Sequence, residues 1–419
     1  MNRLKYLASE LDNRLADADA DLDRLYPGDS GVRQPVHTVY IPADSYRADI
    51  NTQWGERATA TLEAEAGTAS LLAETFDITP ELAEQVHLRV RDKLDTEPIE
   101  DVRIDFEDGY GHRSDDEEDA TATAAAGELA KAIHNGHATP VHGIRFKSLE
   151  ASTRHRGLRT LDLFIGELAA ANALGNGFVV TLPKVTSVAQ VEAMTHICSR
   201  LENVHGLPPG QLRFEIQVET PQSIVDSTGR VVIAPMIHAA AGRCSGLHYG
   251  TYDYSASCDI AAEYQSMEHP AADQAKALMQ VAAAGTGVFL SDGSSNRMPV
   301  GESAEIRAAW QLCARLVRRS LERGFYQGWD MHPAQLISRY VATYAFFRES
   351  FDNAAERLRA YISGDDSRYL DEPATAKALA GFVLRGLECG AVDETEVDTR
   401  IGVTRRRLTS LAGRQSAVE

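Results

Sequence analysis

Residues 213–221, RFEIQVETP, form a short apolar run that ends in polar residues, and this pattern recurs along the chain. Upstream lie GFVVTLPKV from Gly177, VHGIRFKS from Val141, VRIDFEDG from Val102 and HTVYIPA from His37. Downstream lie CSGLHYGTYD from Cys244, TGVFLSDG from Thr286 and GWDMHP from Gly328. After the first pair the starts fall roughly 30 to 45 residues apart, the size of one strand–loop–helix unit in a (β/α)8 barrel. Runs this continuously apolar suit parallel strands covered on both faces. The segments between them read as amphipathic helices. Ser187 and Gln190 stand at capping-box spacing ahead of one, which runs to Glu202. Ser303 is the expected cap of another, which ends near Gly324 with Arg315, Arg318 and Arg319 at its negative end. The pattern predicts an α/β fold, a (β/α)8 TIM barrel, with strands seven and eight the least regular.

The 419 residues exceed the roughly 250 of a plain barrel, so one barrel with additions is expected rather than two equal domains. Residues 1–36 read as a helix and a linker (YPGDSGVRQP), and residues 37–349 as the barrel. Residues 44–100 form an insertion between strands one and two, in which Thr79 caps a helix that Pro80 opens. Residues 350–419 read as a helical extension, broken near Gly364-Asp365-Asp366. Hydrophobic residues at 43% and charged residues at 25% supply an ordinary globular core. No segment approaches the roughly 18 uncharged apolar residues of a membrane span, and the first twenty residues lack the apolar centre of a secretion signal. Cysteines at 198, 244, 258, 313 and 389, without a CxxC pair, argue against a disulfide framework or structural zinc and fit a reducing cytoplasm. A formal net charge of −19 argues against a nucleic-acid partner, which needs a basic face.

In such a barrel the reactive groups sit at the carboxyl ends of strands and in the loops that follow. Those positions hold Asp105, Glu107 and Asp108 after strand two, Arg145 and Lys147 in strand three, and Lys184 after strand four. They hold Glu219 after strand five, Asp253 after six, Asp292 after seven, and Asp330 and His332 after eight. Glu219 and Asp253 end adjacent strands and can converge on one divalent ion; Mg2+ takes one or two protein carboxylates and leaves room for substrate oxygens. The alternative is a pair of ordinary carboxylates matched to arginines on the rim. Arg145, a charge inside a strand, can hold a substrate carboxylate or a developing oxyanion, or pair with Glu107 or Asp108. Lys184 admits a Schiff-base role, against the commoner role of an ion-pair residue before a loop. His332 reads first as a cap of the closing helix and second as an acid or base. His142 and His248 read as core residues. Gly246, Gly250 and Thr251 would admit a ligand close to the backbone.

In order and spacing, VYIPA, RIDFEDG, GIRFKS, VTLPKV, EIQVETPQ, HYGTYD and DMHPAQ resemble the citrate lyase β-subunit/malyl-CoA lyase family, within the HpcH/HpaI aldolase group of the phosphoenolpyruvate/pyruvate barrels. The resemblance spans roughly residues 37–340. It implies Glu219 and Asp253 as metal ligands, Arg145 as the contact to the substrate's carboxylate and oxo group, and Glu107 and Asp108 as acids near the metal. It implies a structural role for Lys184. It also implies cleavage or formation of a carbon–carbon bond beside a carbonyl, through a metal-stabilised enolate.

The expectation is a cytoplasmic, Mg2+- or Mn2+-dependent carbon–carbon lyase or aldolase, with Arg145, Glu107 and Asp108 as catalytic residues. Arg145, Gly250 and Thr251 bind the substrate, a small 2-oxo acid or an acyl-CoA. The first strand, HTVYIPADS, lacks the arginine and Pro-Gly turn common in CoA-using relatives. A homo-oligomer is expected, because the added helices must bury their apolar faces. Two alternatives use the same site: a thioester hydrolase or phosphoenolpyruvate-type enzyme, and a non-catalytic oxo-acid-binding barrel serving as sensor or assembly component.

Overall fold

The computed structural model describes residues 2–364 and 372–415. Each apolar run forms a strand: β1 (His37–Pro42), β2 (Asp101–Asp105), β3 (Val141–Arg145), β4 (Phe178–Leu182), β5 (Arg213–Val218), β6 (Cys244–Tyr249), β7 (Phe289–Ser291) and β8 (Gly328–Asp330). Neighbours in sequence are parallel neighbours in the sheet, and β8 returns beside β1. Ser291 bridges Gln327, and the Asp292 N–H donates to the Gln327 carbonyl at 2.8 Å, which closes β7 onto β8. The chain is a (β/α)8 barrel.

A helix α1 (Asn2–Leu25) precedes the barrel, and three helices fill the insertion: α2 (Ile50–Ala66), α3 (Ala69–Phe76) and α4 (Pro80–Thr96). Then α5 (Asp115–His134), α6 (Arg154–Ala170), α7 (Val188–His205) and α8 (Ile233–Ala239) follow β2 to β5 in turn. The helices α9 (Thr251–Ser257) and α10 (Pro270–Ala283) follow β6, α11 (Ser303–Glu322) follows β7, and α12 (Gln335–Ser363) follows β8. The chain ends in α13 (Pro373–Glu388), α14 (Glu394–Ile401) and α15 (Arg405–Leu411). One apolar core fills the space between strands and helices. A second, including Phe351, Leu358, Val383, Leu384 and Leu408, joins the far half of α12 to α13–α15. None of the helices among the described residues is long and apolar enough to cross a membrane.

The helix caps are partly as expected. Thr79 Oγ1 accepts from the Leu82 N–H at 3.3 Å ahead of Pro80. Ser187 occupies the cap of α7 without a side-chain bond, because Gln190 Oε1 turns back to the Thr186 N–H at 2.7 Å instead. At α11 the cap is Glu302, not Ser303. The Glu302 N–H donates to Glu305 Oε2 at 2.9 Å, which frees Ser303 to bond Glu65 on α2. Arg319 lies in the last turn of α11, as expected, and pairs there with Asp273, while Arg315, farther back, pairs with Glu268. Gly364 ends α12 with φ +73°; Asp365 and Asp366 of the expected break lie outside the described residues.

The barrel interior is charged near its amino end. Arg103 reaches Glu215 through two bonds, Nε to Oε1 at 3.1 Å and Nη2 to Oε2 at 2.8 Å, and also pairs with Asp101. His248 Nε2 lies 3.0 Å from Glu215 Oε2, so this core histidine is part of the network rather than a lone packing residue. His142 is also buried, its Nδ1 2.9 Å from the Thr139 carbonyl. A buried charge is tolerable only when matched in this way.

Glu100, just before β2, ties the insertion to the barrel: its Oε1 pairs with Lys93 at 2.7 Å and Arg33 at 2.5 Å, and its Oε2 accepts from the Val36 N–H at 2.8 Å. Burial alone would raise this carboxyl, but Lys93 and Arg33 outweigh it and hold it at about 2. A carboxylate depressed on folding stabilises the protein above its unfolded value, about 4.3, and loses that contribution as pH falls toward the folded value. Glu100→Gln should therefore cost about 3 kcal/mol at neutral pH. In urea melts at several pH values, the variant should also show a shallower loss of stability between pH 4.5 and 2; parallel curves would contradict this.

Candidate active site at the carboxyl mouth of the barrel

The site is built on a buried pair. Asp105, the last residue of β2, accepts Arg145 Nε and Nη2 with both oxygens, each at 2.6 Å. The same oxygens accept the backbone N–H groups of Glu107 at 3.0 Å and Gly109 at 2.8 Å, which shapes the loop and turns Glu107 and Asp108 toward the mouth. The sequence placed Asp105 in the strand-end ring but not as the chief partner of Arg145. Arg145 Nη1 lies 3.4 Å from Glu107 Oε2, a longer contact of the kind expected. Its guanidinium also stacks 4.6 Å from the Tyr40 ring centre.

Above this pair, four carboxylates surround one ammonium. Lys184 Nζ lies 2.8 Å from Asp253 Oδ1, 3.0 Å from Asp108 Oδ2, 3.6 Å from Glu107 Oε1 and 3.9 Å from Glu219 Oε2. Lys184 adopts φ +51°, a left-handed backbone that costs a non-glycine residue about 1 kcal/mol or more. Its N–H donates to Glu219 Oε1 at 2.7 Å, which holds that conformation. Burial, with Lys184 opposing and Asp253 adding to it, pushes Glu219 up to about 7. Burial likewise lifts Glu107 to about 8, with Arg145 and Lys184 opposing. Burial also acts on Asp108, yet Lys184 and Arg145 hold it below its ordinary value. Lys184 itself is raised: its burial is outweighed by Glu219, Glu107, Asp253 and Asp108. Its contacts are those of an ion-pair residue.

Gly250 and Thr251 flank this cluster. A Cβ on Gly250 would lie 2.4 Å from Glu219 Cβ, so the close approach is made by the Glu219 side chain. Thr251 is buried, and its hydroxyl has no hydrogen-bond partner among the described residues. Other strand-end residues face away. Asp292 is held by Lys276 at 2.8 Å and Ser320 at 2.7 Å, and Asp330 by Arg339 and His37, each at 3.0 Å. Lys147 pairs with Glu118 at 2.6 Å. The cap of α12 is Ala334 and not His332, whose Nδ1 accepts from the Ala334 N–H at 3.2 Å in the turn ahead of the helix.

Sequence reasoning missed the floor. Tyr40 registers with Arg103, Arg103 with Gly143, Gly143 with Val179 and Val179 with Arg213. In a barrel of shear 8 each step round rises by one residue, and alternate strands share a layer. Tyr40, Arg145 and Gln217 therefore occupy one layer, and Trp329 packs on Tyr40 at 4.7 Å between ring centres. The Tyr40 hydroxyl, both polar atoms of Gln217 and Trp329 Nε1 are buried without a hydrogen-bond partner among the described residues. The available signal was period-two polarity: Glu215, Gln217 and Glu219 lie on one face of β5.

The arrangement is that of a (β/α)8 barrel with a polar floor and a carboxylate-rich mouth. A family model described as "Domain of unknown function (DUF6986)" matches residues 15–416, and the chain belongs to that family. No curated protein matches it. Among solved structures, a citrate lyase from Burkholderia xenovorans LB400 is similar, with TM-score 0.57 and 17% identity over 88% of this chain and 97% of that one. A Haloferax volcanii malate synthase in a magnesium/glyoxylate complex gives TM-score 0.48 and 14% identity, over 91% and 98%. A citrate lyase β subunit from M. tuberculosis, complexed with oxaloacetate and magnesium, gives 0.41 and 16%, over 76% and 99%. The first shares the fold with this chain; the other two are too distant to add to that. The resemblance read in the sequence thus has support at the level of fold.

Gly250→Ala should displace Glu219 and cost about 2 kcal/mol, as overpacking of a tight contact does. Denaturant melts beside wild type would show it, and an unchanged midpoint would contradict the close fit.

Proposed function

We propose that this protein is a divalent-metal-dependent carbon–carbon lyase or aldolase acting on a small 2-oxo acid or an acyl-CoA. The observation that carries the reading is the convergence of Glu107, Asp108, Glu219 and Asp253 on Lys184. Four carboxylates against one ammonium leave an excess of negative charge, and burial already strains two of them toward protonation. A pair of carboxylates such as Glu219 and Asp253 offers the oxygen donors that Mg2+ or Mn2+ takes. No group of three or more His, Cys, Asp or Glu among the described residues is arranged to hold a metal. The proposed ligands are accordingly two, Glu219 and Asp253, a number usual for Mg2+. Such an ion, when bound, supplies Lewis acidity that stabilises negative charge on a carbonyl oxygen.

The chain's own residues supply the rest. Arg145, fixed by Asp105 and stacked on Tyr40, presents a pre-oriented positive charge to the substrate's carboxylate or oxyanion. Glu107 and Asp108 hold Lys184 and order water at the edge of the site. Gly250 and the Thr251 hydroxyl form one wall. Tyr40, Gln217 and Trp329 offer donors and an acceptor to the substrate's polar end, so the site selects a small, oxygen-rich molecule. We place the enzyme in the cytoplasm as a homo-oligomer; all five cysteines are free.

Calorimetric titration with oxaloacetate, pyruvate and acetyl-CoA, with and without Mg2+, tests the site. Oxo-acid binding should require the metal and fall at least about tenfold in Glu219→Gln, the size of one lost charged contact. Binding indifferent to both would sink the reading. Metal-dependent binding without turnover of any candidate substrate would instead favour a sensor. A second expectation concerns the floor: Gln217→Leu should leave thermal stability unchanged or raise it, since an unpaired buried amide costs about 1–3 kcal/mol. The same variant should weaken oxo-acid binding; a destabilised variant with normal binding would show the amide to be structural.

A further inference from the structure

Helix α1 stands apart from the rest of the molecule. Every residue from Leu4 to Arg24 is exposed, and no strand or helix among the described residues packs along it. Yet it carries a continuous apolar stripe. Leu4, Leu7, Ala8, Leu11, Leu15, Ala18, Leu22 and Leu25 recur at three- and four-residue steps, which places them on one face over about 32 Å. Leu4 is 77% exposed and Leu22 59%. An isolated helix of this kind gains little stability in water without burying that face. Its root is anchored. The Gly28 N–H donates to the Gly285 carbonyl at 2.8 Å, the Tyr26 ring meets His238 edge-on at 5.7 Å, and Asp29 pairs with Arg414 at 2.9 Å. Gly285 leads into the amino end of β7, so α1 projects from the side of the barrel opposite the carboxylate cluster.

The charges beside the stripe choose the occupant. Lys5 lies toward the amino end, whereas Asp17, Asp19, Asp21 and Asp23 crowd the carboxyl half. A parallel pair of α1 helices would set these aspartates against their own copies. An antiparallel pair centred on Asn13 brings residue i opposite residue 26 − i. Leu4 then meets Leu22 and Leu11 meets Leu15, while Lys5 falls among Asp19, Asp21 and Asp23 and Arg14 falls beside Asp12. Apolar register and charge thus agree in one arrangement, as in antiparallel coiled coils.

We propose that α1 pairs antiparallel with α1 of a second copy of this chain, forming a two-helix seam that joins two barrels through their amino-end faces and leaves both active-site mouths open. The inference is independent of the reaction proposed above, because it involves none of the residues of the mouth.

Sedimentation of the full-length protein tests it. Leu11→Asp/Leu15→Asp should halve the mass of the wild-type assembly at micromolar concentration, with an unchanged thermal transition for the barrel. Orientation is read by disulfide trapping in a Cys258→Ser background, Cys258 being the exposed native cysteine. Leu4→Cys/Leu22→Cys should oxidise to a covalent dimer, and Leu4→Cys alone should not. A monomeric wild type, a mass unaffected by the two aspartates, or efficient trapping by Leu4→Cys alone would each overturn the proposal. A monomer whose α1 amides are protected from exchange would mean that the helix folds back on its own chain, which also overturns it.

Discussion

Asp105 and Arg145 make a buried, two-pronged ion pair across β2 and β3, and the upper half of the barrel is organised around it. The pair cannot be broken cheaply, because either partner alone would be an unmatched charge in a site from which water is largely excluded. With Asp105 so committed, its two oxygens also gather the Glu107 and Gly109 N–H groups, and the loop after β2 has one shape. That shape delivers Glu107 and Asp108 to the mouth. There they meet Lys184, whose left-handed backbone is held by Glu219 from the adjacent strand, β5. A single salt bridge inside the barrel thus helps to set where two of the four acids, Glu107 and Asp108, stand at its rim.

The interior below the rim changes character with depth. Near the amino end Arg103, Asp101, Glu215 and His248 neutralise one another, and little is left for a ligand. One layer higher, Tyr40, Gln217 and Trp329 hold polar atoms without partners among the described residues. A barrel interior built only for stability would fill those positions with branched aliphatic side chains. The lower layer is matched charge to charge, though His248 Nδ1 has no partner among the described residues, whereas the upper one holds four unpartnered polar atoms.

The sequence carried the barrel in full. Eight runs of apolar residues, separated by helical patterns, can fold locally in few other ways, and every run became a strand. The ring of strand-end residues was legible for the same reason, since the carboxyl end of a parallel strand is fixed once the strand is. Caps were less legible. Glu302 displaced Ser303, and Gln190 turned from Ser187 to Thr186, because a long side chain chooses among several nearby backbone groups by fractions of a kcal/mol.

What the sequence by itself determined was periodicity: which segments are strands, which faces are apolar, and that α1 carries a stripe of leucines. What only the tertiary structure decided was partnership. Arg145 could have met Glu107, Asp108 or Asp105, and Lys184 could have pointed to solvent. Asp292 and Asp330, alike in sequence to Asp253, turned out to face Lys276 and Arg339 behind the sheet. Ion pairs depend on distances across the barrel, which come from shear and strand tilt. Those are properties of the closed sheet, and no single strand contains them.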